Sequence, residues 1–294
     1  MDIFGYANAL KLAAAAVAAA FAGGLFAQDG AVALEKEELQ VVSAEFRLGF
    51  DSRYMTYGVI DGKDPIVVPC ASVTFFDWVY FGVESIFDAT KGNGKRGGYG
   101  NRAGKYTTLD AIVGVSHEFS AGETLGALCV DANYMYEYIP RFGGEVGDTQ
   151  YANLELSLCE LWLEPLLAVE RDLMADDGTY VYFELGHTFA VAEGFGVRPA
   201  VGQGFGNSLR TKGYFSELKK TQGFDHGGVM DTVFRVDFEY ALAPWLTLGA
   251  YVAWHDYLFD GNMREAAAAY NAQWGSGCDR TWNAVGGVSL KASF

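Results

Sequence analysis

Apolar and polar side chains alternate along most of the chain after residue 40. In residues 41–56 the even positions are mainly apolar, and several odd positions carry charged groups. Residues 229–242 and 280–294 repeat this alternation. Because successive side chains of a strand point to opposite faces, each segment predicts a strand with one apolar and one polar face.

Twelve such segments follow one another and predict an all-β protein. Boundaries read from a pattern of this kind are accurate to about 2–4 residues. The segments are 41–56, 65–76, 78–88, 106–119, 123–138, 150–162, 165–172, 179–190, 195–204, 229–242, 245–256 and 280–294.

The connections between these segments alternate in length. The short ones are residue 77 and residues 120–123, 163–165, 191–194 and 243–245. The others are mostly longer and polar, at 57–64, 88–105, 139–149, 173–178, 205–228 and 257–279. A meander with tight turns at one end and long loops at the other is the layout of an outer-membrane barrel. We therefore expect the long loops to be extracellular, and the short turns and both termini to be periplasmic.

The polar face favours a membrane barrel over the alternative, a secreted soluble β-domain. Its charges lie near mid-strand, as Arg47 and Asp51 do, where a dry core would make them costly. A wet lumen accommodates them, and a sheet in lipid must close on itself. The pattern thus predicts a 12-stranded antiparallel up-and-down transmembrane β-barrel. The lumen-facing charged candidates are Glu45, Arg47, Asp51, Arg53, Glu84, Asp110, Glu118, Asp131, Glu137, Glu155, Glu184, Arg198, Arg235, Asp237, Glu239 and Lys291.

Aromatic residues support the same interpretation, because many lie near the ends of the predicted strands on the apolar face. They resemble the two aromatic girdles that barrels place at the membrane interfaces. The members are Tyr134, Tyr136, Tyr138, Trp162, Trp245, Trp254, Trp282 and Phe294. Phe294 also ends a strand as an assembly signal would, so the expected partners are the barrel-assembly machinery and outer-membrane lipid.

The N-terminal segment differs from the rest, with one Lys, a short Ala-rich apolar run and small residues after it. This layout predicts a signal peptide over residues 1–27, with cleavage between 22 and 33; a buried helix is the alternative. Residues 28–40 would be a short periplasmic segment and 41–294 the barrel. The net charge of the 294-residue chain is -16, which disfavours nucleic-acid binding.

The first hairpin, "FRLGFDSRYMTYGVIDGKDPIVVPCASVTFFDWVYFGVESIFD", is similar to the TorF-type porins, a loosely defined family of bacterial outer-membrane barrels. An aromatic-x-x-x-Gly step, a short polar loop and an Asp-Pro before the second strand carry the resemblance. The spacing of later hairpins agrees over nearly the whole mature chain. The family's usual Arg-Gly step is absent, because Tyr57 precedes Gly58. The resemblance implies a porin-like barrel.

The candidate catalytic and metal-binding residues are few. The four cysteines have no C-x-x-C spacing, so we expect no metal site and no cofactor. Cys129 and Cys159 are predicted to lie opposite each other on neighbouring strands, either as a disulfide or as two small lumen residues. His226 beside Asp225 and His255 beside Asp256 leave an omptin-like protease as a minor alternative. No G-x-S-x-G stretch supports a lipase, and we expect no enzymatic activity.

The face assigned to the lumen indicates the function. It carries eleven acidic and five basic residues, and Arg47 and Arg235 are candidates for pairing with carboxylates. An excess of wall carboxylates favours cations. We therefore expect a porin-like channel for passive diffusion of small hydrophilic solutes or ions. The alternative is a closed barrel that acts as a structural anchor or a surface-binding protein. The pattern does not specify the oligomeric state.

Overall fold

The structure is a computed structural model that describes residues 42–90, 104, 106–122, 124–139, 147–216, 218, 220, 221, 223–273 and 277–294. The predicted signal peptide (1–27) and the segment 28–40 lie outside these residues. None of the helices in this part of the chain combines the length and the hydropathy of a membrane-spanning helix.

The described residues form fifteen strands and two helices. The strands are β1 (Val42–Asp51), β2 (Tyr54–Thr56), β3 (Val59–Gly62), β4 (Ile66–Phe75), β5 (Val79–Asp88), β6 (Tyr106–Ser120), β7 (Ala127–Tyr138), β8 (Thr149–Ser157), β9 (Leu166–Asp172), β10 (Thr179–Gly186), β11 (Phe189–Ala192), β12 (Phe195–Gly206), β13 (Gly228–Ala243), β14 (Leu246–Asp256) and β15 (Trp282–Ser293). The helices are α1 (Ser208–Phe215) and α2 (Gly261–Gln273).

Thirteen strands form one antiparallel sheet that closes on itself. β1 pairs with β15 and with β4, and β10 pairs with both β9 and β12. β10 and β11 lie on the same side of β12 as two parts of one interrupted wall strand. Counted so, the wall has twelve strands, which confirms the predicted barrel. Closure leaves no unpaired edge, as a hydrocarbon environment requires.

The apolar face is the outer, exposed face of this barrel. Phe46, Leu48 and Phe50 of β1 are 41%, 45% and 44% exposed, and Val252 of β14 is 56% exposed. A water-soluble β-domain would bury these side chains, so the exposed apolar band excludes the soluble alternative. Lipid covers such a band in a membrane barrel.

Two predicted strands end earlier than the pattern indicated. β1 stops at Asp51, and residues 54–62 form a separate two-stranded hairpin, β2–β3. β8 stops at Ser157, so Trp162 belongs to the turn 158–165. In both places the alternation continues into residues that leave the wall, and periodicity alone does not detect that departure.

The two longest connections with described residues contain the helices, which the polar composition did not predict. Asn207 begins α1, and its side-chain oxygen accepts a hydrogen bond from the Arg210 backbone N–H at 3.0 Å. Asp260 begins α2 in the same way, accepting from the N–H groups of Asn262 and Met263. The Ala-rich run of α2 suits a helix because Ala has the highest helix propensity.

Candidate functional site in the barrel interior

The charged face of the strands lines the interior of the barrel. Arg47 of β1 reaches Glu84 of β5 at 3.1 Å, passing β4. Tyr80 of β5 donates a hydrogen bond to Asp131 of β7 at 2.8 Å, passing β6. Side chains of next-but-one strands converge on the concave face of a curved sheet, so these contacts identify the inner surface.

Most of the predicted lumen charges have partners there. Arg198 meets Glu184 at 2.7 Å, and Arg235 meets Asp237 at 2.6 Å. The remaining pairs are Lys291 with Glu45 at 3.9 Å, Asp51 with the Tyr251 hydroxyl at 2.9 Å, Glu137 with the Tyr151 hydroxyl at 3.2 Å, and Glu118 with the Cys129 thiol at 3.9 Å. Glu155 and Glu239 are exposed.

One side of the interior is acidic only. Glu84 of β5 lies directly opposite Asp110 of β6, which lies directly opposite Glu137 of β7. In the same way Asp131 faces Glu155 on β8. Among the described residues of β5–β9, the inward positions carry no Lys or Arg. The basic side chains lie instead on or beside β1, β12, β13 and β15, mixed with carboxylates.

Asp110 is the most enclosed member of the row formed by Glu84, Asp110 and Glu137. It is 6% exposed, and its buried Oδ1 has no hydrogen-bond partner in the part of the chain that the structure describes. Facing carboxylates repel one another, so this row attracts a compensating positive charge.

Further carboxylates that the sequence analysis did not name also line the interior, among them Glu170 and Asp172 on β9 and Asp231 on β13. In β9 both faces carry apolar residues, so its alternation is weak. Asp231 is 2% exposed and accepts a hydrogen bond from Tyr180 at 2.9 Å. Asp231 has the same parity as Arg235, Asp237 and Glu239, so the alternation of β13 was a signal that could have found it.

The β2–β3 hairpin turns inward and crosses the loop end of the barrel. Its tip is Tyr57 and Gly58, both with positive φ. The Tyr57 hydroxyl donates to Glu170 on β9, and the Gly58 carbonyl accepts from Asn283 of β15 at 2.8 Å. The hairpin is therefore held by opposite parts of the wall, and the predicted loop 57–64 is an internal element.

An apolar cluster packs behind this hairpin. Val59 of β3 has no exposed surface and contacts residues of both helices. The cluster consists of Val59, Phe215, Leu218, Met230, Tyr257, Met263, Ala266, Ala267, Ala269 and Tyr270. We call the β2–β3 hairpin, α1 and α2 together the plug. Its apolar contacts resemble those of a small protein core and cover the loop end of the lumen.

Arg210 of α1 fastens the plug to the wall. It is 1% exposed and lies 3.2 Å from Glu170, 3.3 Å from Asp176 and 3.9 Å from Asp172. Its guanidinium also lies over the rings of Tyr57 and Tyr151, at 5.2 and 5.7 Å from the centroids. These contacts combine ion pairing with cation–π attraction.

The pKa values of loop residues agree with a charged Arg210 beside neutral phenols. Burial acts to lower the pKa of Arg210, but Tyr57 and the carboxylates outweigh it, so this pKa is raised. Burial raises the pKa of Tyr57 well above its usual value, with Glu170 adding to the effect. Burial also raises the pKa of Asp176, although Arg210 opposes the shift.

A cavity of about 310 Å³ lies beneath the plug. The hairpin contributes Tyr54, Met55 and Tyr57, and the wall contributes charged groups of both signs: Arg47, Asp51, Arg53, Glu84 and Arg235. The lumen therefore keeps a polar space next to the residues that close it.

The histidines are placed differently from the predicted Asp-His neighbours. His255 Nδ1 lies 3.0 Å from Asp231, across the β13–β14 pair, whereas Asp256 accepts a hydrogen bond from Thr281 at 2.6 Å. His226 packs on Phe224, with ring centroids 5.5 Å apart. Strand neighbours point to opposite faces, which is why His255 pairs across the sheet and not with Asp256.

The cysteines also depart from the predicted placement. Cys129 lies opposite Ser157 on β8, and Cys159 lies two residues further on, in the turn 158–165. The two sulfur atoms are nevertheless 3.0 Å apart as free thiols.

No family model matches this chain, and no curated protein sequence matches it. The solved structures that are similar to it include an outer membrane channel from Pseudomonas putida F1. The two share 10% sequence identity, the match covers 89% of this chain and 100% of that chain, and the TM-score is 0.48. The NanC porin shares 10% identity over 85% of this chain and 98% of its own, with a TM-score of 0.45. The KdgM porin shares 11% identity over 86% and 99%, also with a TM-score of 0.45.

The closed wall, its exposed apolar band and its charged interior together decide the class of protein. This chain is an outer-membrane β-barrel. Only a closed barrel satisfies every strand backbone in lipid, and the bacterial outer membrane is where such barrels reside.

Proposed function

We propose that this barrel is a porin-like channel for the passive diffusion of small hydrophilic solutes, with a preference for cations and no enzymatic activity. Membership of the TorF-type porin family is part of the proposal and rests on the first hairpin. A wall of twelve strands encloses a lumen wide enough for water, between the filled eight-stranded barrels and the open sixteen-stranded porins.

The row formed by Glu84, Asp110 and Glu137 carries the proposed cation preference. Three carboxylates stand directly opposite one another on neighbouring strands, and the only cation contact among them is that of Arg47 with Glu84 in the described chain. A low-dielectric wall focuses the field of such a row into the lumen. Cations are thereby concentrated and anions excluded.

The plug adds a condition to this proposal. Because the hairpin is held by β9 and β15, passage of a hydrated solute requires it to move away from at least one of them. The contacts of Arg210 with Glu170 and Asp176 then act as the latch that keeps the resting barrel closed. The channel would conduct in brief openings, and more steadily when the latch is removed.

The test is the reversal potential of the purified protein in a planar bilayer under a potassium chloride gradient. We expect cation selectivity, and we expect Glu84→Gln, which removes a charge from the row, to reduce it. Glu265→Gln is the matched control. Glu265 is exposed on α2, so this substitution removes one negative charge at a site far from the row. Anion selectivity of the native barrel, or an equal effect of both variants, would contradict the proposal.

The apolar core of the plug favours a second candidate, a closed barrel that serves as an anchor or a surface-binding protein. Ten buried hydrophobic residues in one cluster are more than a small flexible loop needs. Replacing residues 54–62 with a short Gly-Ser linker separates the two functions. A folded barrel that remains silent in the bilayer both with and without the hairpin supports the closed candidate.

A further inference from the structure

Two thiols meet at the turn end of the barrel, on the side away from the plug. Cys129 is the third residue of β7, and Cys159 follows β8 by two residues. Their sulfur atoms lie 3.0 Å apart. This pair has no part in the acidic row or in the plug.

The turn itself holds Cys159 in place. Within it, Leu158 N–H donates to the Pro165 carbonyl at 3.1 Å, Leu161 N–H to Leu158 at 3.2 Å, and Glu164 N–H to Leu161 at 2.9 Å. These three bonds make the segment compact, so the approach of the two sulfurs follows from the backbone and not from one long flexible side chain.

We propose that Cys129 and Cys159 are joined by a disulfide after export, cross-linking β7 to the turn 158–165. The sulfurs must approach by about 1 Å to reach the bond length of about 2.05 Å. The turn end of an outer-membrane barrel faces the periplasm, an oxidising compartment where disulfides persist. Cys159 is exposed and Cys129 half-buried, so an oxidant reaches the pair through Cys159 first.

The oxidant is the disulfide of a periplasmic thiol oxidase. The Cys159 thiolate attacks one of its sulfurs and forms a mixed disulfide, and the Cys129 thiolate then displaces the enzyme from Cys159. In total the two thiols lose two protons and two electrons. The electrons reduce the oxidase disulfide to a dithiol, and the new S–S bond stays in the barrel.

The other two cysteines do not compete for this bond. Cys70 lies on β4 inside the wall, donates to Glu84 at 2.8 Å and contacts Arg47 at 3.2 Å. Cys278 follows α2 at the loop end of the barrel. Pairing is therefore selected by position, with one partner for each thiol of the turn-end pair.

The cross-link strengthens a part of the wall that has short strands. β8 has nine residues and β9 has seven. The turn between them also carries Glu164, which accepts hydrogen bonds from Thr188 at 2.7 Å and from Arg198 of β12 at 2.9 Å. A disulfide at Cys159 connects β7 covalently to this polar network, independently of whether the barrel conducts.

The experiment is mass mapping of the protein from outer membranes. Cells are quenched in acid to preserve thiol states, and the chain is alkylated with N-ethylmaleimide in denaturant and digested without reductant. We expect a peptide pair linking Cys129 to Cys159, lighter by two hydrogen atoms than the two thiol peptides together. The double variant Cys70→Ser, Cys278→Ser should keep the linked pair unchanged.

Full alkylation of Cys129 and Cys159 overturns the proposal. The ligand atoms of Glu118, Cys129 and Cys159 all lie within 4.8 Å of one another, a spacing that a metal ion could use. Thiols bound to a metal in place of a disulfide would also overturn the proposal. That state is recognised in native protein incubated with zinc: both thiols react with N-ethylmaleimide only after a chelator is added, and Glu118→Gln increases their reactivity. A linked pair that forms equally in protein made and kept in the reducing cytosol would also contradict oxidation after export.

Discussion

The guanidinium of Arg210 lies 3.2 Å from the carboxylate of Glu170, although Arg210 belongs to a loop helix and Glu170 to the barrel wall. The hairpin tip lies between these elements, because Tyr57 donates its hydroxyl to the same carboxylate. One partly buried carboxylate thus joins α1, the hairpin and β9. We therefore expect the plug to keep the loop end closed only while this junction is intact.

Replacing Arg210 with Met should loosen the plug. The substitution keeps a long side chain but leaves Glu170, Asp172 and Asp176 without their cation, and breaking a buried ion pair costs about 3–5 kcal/mol. We expect faster tryptic cleavage after Arg53 and a larger mean conductance. Lys212→Met is the matched control, since Lys212 is exposed on the same helix; equal cleavage in the two variants would show that Arg210 is not the latch.

Gly58→Ala should also displace the hairpin. Gly58 has φ +79°, and an added Cβ would stand 2.5 Å from the Cβ of Asp231. Gly223→Ala separates backbone strain from collision, because Gly223 has φ +80° with nothing within 4 Å of the new atom. The left-handed backbone costs each variant roughly 1–2 kcal/mol. Only Gly58→Ala should increase conductance and cleavage after Arg53, and identical behaviour would contradict a close fit of the tip.

Acid should weaken the turn 158–165. Burial opposes ionisation of Glu164, but hydrogen bonds from Arg198 and Thr188 outweigh it and lower the pKa of this carboxyl. A depressed folded-state pKa gives stability that is complete above the unfolded value of about 4.3 and lost as pH falls through the folded value. Glu164→Gln should therefore lower the thermal midpoint at neutral pH and have little effect at low pH.

The control for this pH dependence is Glu160→Gln, a neighbouring substitution in the same turn at an exposed residue. Its midpoint should follow that of the native protein at every pH. If Glu164→Gln destabilises the barrel equally at neutral and low pH, the ionised carboxylate is not what supports the turn.

The orientation of the barrel is open to a direct test. Epitope tags are inserted at residue 97, between β5 and β6 in sequence, and at residue 122, in the turn after β6. Intact cells should bind antibody only when the tag is at residue 97, because long loops face outward in outer-membrane barrels. Permeabilised cells serve as the control for expression, and labelling of the second tag alone on intact cells would reverse the topology.

Phe294 should matter for assembly. Its ring stacks on Trp245 with centroids 6.1 Å apart, and its backbone pairs with Ala44 across the β1–β15 seam. Phe294→Ala should reduce the amount of barrel in the outer membrane, while the purified chain still folds in detergent. Phe259→Ala, at a loop residue that is 71% exposed, should leave that amount unchanged. Normal membrane levels of Phe294→Ala would remove the assembly role.

Individual strands show which features of the fold the alternation of apolar and polar side chains predicts. The alternation in β1, β13 and β15 is regular, because over most of each strand one face meets lipid and the other lines the barrel interior. Closure and the position of turns and loops follow from that alternation together with the connection lengths. The pattern was less informative at β9, where both faces carry apolar residues and Glu170 was missed.

The amino-acid sequence by itself determined the barrel, its strand number and the face that carries charge, since these depend on local periodicity. The plug was decided only by the tertiary structure. The hairpin tip at Tyr57, the helix residue Arg210 and the wall residue Glu170 are far apart in the chain, and no local period links them. The meeting of Cys129 and Cys159 likewise depends on where β8 ends. Contacts of this kind arise when the closed wall brings distant segments into one enclosed space, where buried charges must find partners.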